Sequence, residues 1–156
     1  MGFLLAFLLG CVDGLRSLTA PALVCWAAHF GWLHLAGTKL TFINHQSTLI
    51  VFTFLAVLEL IADKLPRTPA RTAPLGLIAR ISLGGACGLA LAMSAGTSLT
   101  ASVLLASIGG LVGAFVGYHS RRLIVTKAHV PDFAVAVVED VIAIAGGLLV
   151  LRHFAQ

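Results

Sequence analysis

The chain has 156 residues, 59% of them apolar and only 10% charged, with a mean hydropathy of +1.03. An average globular domain carries roughly 25% charged residues, so a soluble single domain is excluded and a polytopic membrane protein is expected. The net charge of +4 comes from ten bases and six acids; the bases gather between apolar segments, as topology signals do, and no nucleic-acid partner is expected.

Taken in order, residues 2–12 are apolar but fall short of the ~18–20 residues that cross a bilayer. They make a full span only by running through Asp13 and Arg16 to about residue 17. Asp13 and Arg16 stand i,i+3 on such a helix and are expected to neutralise each other. Leu8-Leu-Gly-Cys11 loosely resembles a lipoprotein cleavage box, but residues 1–10 hold no Lys or Arg for an n-region, so Met1 is expected to stay in the fold. A second element opens at Ser17-Leu-Thr-Ala-Pro21, with a hydroxyl as N-cap and proline in the first turn. It is predicted to run to about residue 36, its Trp26 and Trp32, with His29 and His34, approaching an interface belt.

Residues 37–46 form a polar connection. The third element, 47–65, carries Glu59 and Asp63 toward its end and stops at Pro66. Three prolines stiffen a linker over 66–74 that carries Arg67 and Arg71. The fourth element is 77–95, with Gly84, Gly85 and Gly88. The fifth runs from 98 to about 118, followed by Arg121-Arg122, and the sixth is 133–151, with Glu139 and Asp140.

An internal repeat relates the halves. Ser17-Leu-Thr-Ala matches Ser98-Leu-Thr-Ala at an offset of 81, and Ala-Val-Leu-Glu59 matches Ala-Val-Val-Glu139 at an offset of 80. Residues 1–75 and 76–156 are therefore expected to be two three-helix repeats of one integral membrane domain, with 66–76 as the linker. An odd number of spans inverts the second copy. With six spans, Arg16, Lys64, Arg67, Arg71, Arg80, Arg121, Arg122 and Lys127 fall at one face and only Lys39 and Arg152 at the other. By the positive-inside rule both termini lie outside the cytoplasm.

A carboxylate inside a span is costly and faces a cavity or a partner. Glu59 and Asp63 share one helical face, four residues apart. Glu139 and Asp140 point about 100° apart around their helix. These four are the candidate ion-binding residues, because protons and cations compete for a buried carboxylate. The alternative is structural: Glu59 or Asp63 pairs with Arg80 or Arg16, Asp63 pairs with Lys64 at the interface, and Glu139 pairs with a base or a hydroxyl. Ser17, Thr19, Ser98 and Thr100 crowd hydroxyls at helix starts, where the positive dipole end can line a polar path, or else simply cap and cross-link helices. Gly109, Gly113 and Gly117 recur every four residues and suit packing within the chain or a homodimer face. Cys11, Cys25 and Cys87 have no C-x-x-C spacing and read as small packing residues. The six histidines lack metal spacing, and no nucleophile–base pair or cofactor motif is present, so neither an enzyme nor a cofactor is expected.

Gly-Leu-Arg-Ser-Leu-Thr-Ala-Pro at 14–21 and Leu-Glu-Leu-Ile-Ala-Asp-Lys-Leu-Pro at 58–66 resemble an uncharacterised bacterial membrane family, domain of unknown function 4126, over most of the chain. The resemblance implies the bacterial inner membrane and brings no activity. A more distant likeness links Glu59, Asp63 and Lys64 to the E-x-G-D-[KR]-[TS] motif of manganese/calcium–proton exchangers, which are built from two inverted three-helix repeats. Here the Glu–Asp spacing is one residue longer, the glycine is missing, and Glu139-Asp140 lacks the following base, so the likeness extends to architecture alone. The expectation is a small secondary transporter or channel for a cation or proton. The alternatives are a non-catalytic subunit of a membrane complex and, third, a carrier of a small organic or anionic solute.

Overall fold

The computed structural model describes residues 1–64, 73–128 and 130–156. Most of the predicted linker, with Arg67 and Arg71, falls outside them, as does His129. Among the described residues the fold is all-helical: α1 Gly2–Leu15, α2 Thr19–His29, a 3-10 turn Thr41–Asn44, α3 Gln46–Ala62, α4 Pro74–Ala95, α5 Leu99–Ala128 and α6 Asp132–Phe154. Three of these, α4, α5 and α6, are long and apolar enough to cross a membrane, while α1 and α3 are shorter apolar helices.

Helix ends follow local chemistry where glycine or proline acts. Pro74 occupies the first turn of α4, where its missing N–H is not needed. Gly96, at φ 65°, closes the other end, and the Thr97 N–H reaches back to the Ala92 carbonyl. Two expectations are corrected. The second element stops at His29, not near residue 36. Gly31 turns to φ 74°, and the Gly31 and Trp32 amides donate to the Ala28 and Ala27 carbonyls, a Schellman stop. The fifth element continues ten residues past 118, to Ala128, because neither glycine nor proline interrupts the chain between Gly117 and Pro131.

The interior is a close-packed trio of α1, α4 and α5. A Cβ at Gly10 would lie 2.8 Å from the Ala106 carbonyl carbon, and one at Gly14 would lie 2.6 Å from the Ala114 amide nitrogen. From the facing helix, a Cβ at Gly113 would lie 2.9 Å from the Cys11 backbone. Backbones approach this closely only where side chains are absent, as small-residue faces in membranes allow. Gly109 and Gly113 thus pack against α1 and Gly117 is buried, in line with the reading of this face as packing within the chain. Leu9, Val24, Leu91 and Leu151 fill the space around the trio. Many large apolar side chains of α3 and α6 instead face outward, among them Ile50, Phe54 and Ile61 and then Val138, Val141 and Leu149. An apolar exterior over long helices is the pattern for hydrocarbon surroundings.

Candidate functional site

At one end of the bundle, α3 reaches the start of α2, α4 reaches the end of α1, and the later part of α5 reaches the start of α6. All six acids of the chain gather at that end. Arg16 stands at the centre. α1 ends one residue earlier, and Arg16 itself is extended (φ −144°), which swings its side chain inward. It is 0% exposed. Its guanidinium donates to Asp63, just past α3, and to Asp140 Oδ1 on α6 at 2.6 Å. A third donor lies 3.5 Å from the Ala136 carbonyl.

The two carboxylates are shared onward. Asp63 also accepts from Arg121 Nη1 at 2.9 Å, and Asp140 also accepts from Lys64 Nζ. Arg121 forks onto Asp132, with contacts of 2.8 and 2.7 Å, and stands 3.5 Å from Glu139 Oε2. A fork of this kind is the strong geometry for arginine and a carboxylate. The network ties α1 and α3 of the first half to α5 and α6 of the second.

Glu59 does something different. Its Oε1 accepts from the Ser17 amide (2.9 Å) and hydroxyl (2.6 Å), and its Oε2 accepts from the Leu18 amide (2.8 Å). A carboxylate from α3 therefore caps the start of α2, satisfying free N–H groups at the positive dipole end. The expected N-cap role of Ser17 is corrected: its hydroxyl donates to Glu59 instead of capping the helix itself. Glu59→Gln keeps the shape but loses charge and one acceptor for the crowded donors. A cost of about 1–2 kcal/mol is expected, at the upper end for a lost cap, as a lower thermal midpoint in detergent. Glu59→Asp, which is too short to reach, should cost as much.

Arg80 on α4 serves the other orphan end, donating to the Gly14 carbonyl of α1 and to the Gly76 carbonyl, each at 3.0 Å. The anticipated pairing of Asp13 with Arg16 is corrected. Arg16 lies beyond the helix end, turned toward Asp63 and Asp140, while both oxygens of the fully buried Asp13 lack a hydrogen-bond partner.

The structure brings Glu59, Asp63, Glu139, Asp140, Ser17 and Thr19 to one end. Thr19 is buried and its hydroxyl has no partner. Ser98 and Thr100 lie exposed at the opposite end, with Ser98 Oγ only 3.5 Å from the Ala101 amide at the start of α5. The repeat therefore does not place its two hydroxyl starts in equivalent surroundings. Lys64 turns to Asp140 and not to its neighbour Asp63. Arg121 was missed as a network residue because the predicted end of α5 left it off the helix. Among the described residues no group of three or more His, Cys, Asp or Glu side chains is placed to hold a metal ion.

At the far end, a cavity of about 480 Å³ is lined by Leu5, Trp32, His34, Ser94, Thr97 and His153. The His34 amide donates to Ser94 Oγ at 2.9 Å beside it.

A family model described as a domain of unknown function, DUF4126, matches residues 3–154. No curated protein and no solved structure matches the chain.

Proposed function

The chain belongs to the DUF4126 family over nearly its whole length, and from its charge cluster we propose that it is a small secondary transporter or channel for a cation or proton. The observation that carries this conclusion is the double hold on Arg16, by Asp63 from the first half and by Asp140 from the second. A buried guanidinium shared between two halves is a contact with two states. A proton or cation that occupies Asp63 or Asp140 displaces Arg16, and the halves separate at that end. The cavity at the other end supplies the complementary opening that alternating access requires.

In this scheme the chain crosses the membrane six times, as two inverted three-helix halves. α4, α5 and α6 are the full-length spans of this scheme, and α1, α2 and α3 its shorter ones. The base-rich end is cytoplasmic and both termini lie outside, in a bacterial inner membrane. Asp63 and Asp140 exchange basic partners for cargo, Glu139 sits beside Arg121 as a second exchange point, and Glu59 holds α2 to α3 while they move.

One observation favours a second reading, a non-catalytic membrane subunit: both oxygens of Glu59 are engaged by donors at the start of α2, a structural role. Proteoliposomes with an internal pH dye separate the two. Gradients of Mn²⁺, Ca²⁺, Na⁺ and K⁺ are expected to drive proton movement by wild type for at least one ion. Asp63→Asn and Asp140→Asn, folded in detergent, are expected to reduce it at least tenfold. Silence of wild type toward all four cations would favour the subunit.

A further inference from the structure

We infer that Asp13 is a proton-binding site, placed one helical turn before the arginine that holds the two halves together. Asp13 sits in the last turn of α1, inside the α1–α4–α5 trio, and is 0% exposed. Neither carboxyl oxygen has a hydrogen-bond partner. Its walls are glycine: a Cβ at Gly84 would lie 3.4 Å from Oδ2 and one at Gly110 would lie 3.7 Å away. The Gly84 backbone amide offers the carboxyl an electrostatic contact that falls short of hydrogen-bond geometry. A charged carboxylate without a donor is costly in such a place, whereas the protonated acid is neutral.

The titratable groups facing it are Glu59 from α3 and Arg80 and Cys87 from α4. Arg80 donates to main-chain carbonyls and makes no hydrogen bond to Asp13. α5 presents Gly110. Glu139 and Asp140 of α6 are turned to Arg121, Arg16 and Lys64. Glu59, the other carboxylate nearby, is committed to α2, so no pair of free carboxylates is available there for a metal ion.

The role in coupling rests on the carrier reading above; the proton occupancy does not. On losing its proton to the charged end of the bundle, Asp13 becomes an anion in need of a cation. Arg16 stands three residues on in the chain. Drawn to Asp13, Arg16 leaves Asp63 and Asp140, and the contact between the halves is released.

Infrared difference spectra of protein in lipid test this. Wild type at neutral pH is expected to show the carbonyl stretch of a protonated carboxylic acid. Asp13→Asn should lack it, while Glu59→Gln and Glu139→Gln should keep it. A band that survives Asp13→Asn overturns the inference. Thermal unfolding gives a second arm: replacing a neutral acid with Asn should leave the midpoint near that of wild type, and a clear fall would mean that a charged, bound carboxylate was lost. Flux is read separately. In the dye assay Asp13→Asn should fall to the level of empty liposomes. A band lost in Asp13→Asn, with no wild-type flux, would support the proton site and remove the carrier reading.

Discussion

Arg16→Met should destabilise the protein by about 3–5 kcal/mol, the usual cost of removing one partner of a buried ion pair. The guanidinium has no exposure and holds two carboxylates from opposite halves. Methionine fills much of the same volume, so the loss reads out charge pairing more than packing. Asp63 keeps Arg121 and Asp140 keeps Lys64, which places the effect toward the lower end of that range. Arg16→Met combined with Asp63→Asn and Asp140→Asn should recover part of the loss, because a polar group removed together with its partners costs less than one left unpaired. Thermal unfolding in detergent, followed by tryptophan fluorescence, measures all three proteins. Equal midpoints for wild type and Arg16→Met would show that the network contributes nothing to stability.

Gly10→Val and Gly113→Val should be at least as damaging. Their Cβ atoms would stand less than 3 Å from the Ala106 and Cys11 backbones, so helices α1 and α5 must separate before either side chain fits. Overpacking in a tight core typically costs 1–3 kcal/mol; with rigid backbone as the obstacle, about 3 kcal/mol or more is expected, seen as aggregation on gel filtration. Gly146→Ala is the control. Its nearest neighbour would be Val12 Cγ2 at 3.7 Å, an ordinary contact, and relief of glycine's helix penalty should stabilise by about 0.5–1 kcal/mol.

These two effects mark what was legible in the sequence. The end of α4 at residue 95 is legible beside Gly96, whereas its start lies three residues before the expected 77 because Pro74 opens the helix instead of closing the linker. Apolar runs announce a membrane-helical fold because no soluble core could absorb them. The acids inside greasy segments stand out in the sequence as one group, and the structure gathers them at one end of the bundle.

Partnership was not legible. Asp13 and Arg16 are ideally spaced for an i,i+3 pair, yet the helix stops between them and Arg16 finds better acceptors on α3 and α6. Glu59 reads as a possible ion ligand, and in the structure it also accepts from two backbone amides and a hydroxyl just before α2; nothing in a one-dimensional pattern reports that contact. The repeated Ser-Leu-Thr-Ala reads alike in both halves, but one copy meets a carboxylate and the other lies exposed. α2 has 11 residues and its sequence counterpart α5 has 30, because Gly31 takes a left-handed turn that nothing at the matching place in α5 requires.

The central proposal is that the Arg16 network is a separable contact between two halves, so the distance across it should take two values. Ile61 on α3 and Val138 on α6 flank the network and are each 56% exposed, which suits them to spin labels after substitution with cysteine in a background without Cys11, Cys25 and Cys87. Double electron–electron resonance in lipid should give two distance populations whose proportions shift with pH or with the transported cation. Arg16→Met should favour the longer one. A single distance, unchanged by pH, by each cation and by Arg16→Met, would contradict the gated carrier and identify the network as a fixed structural joint.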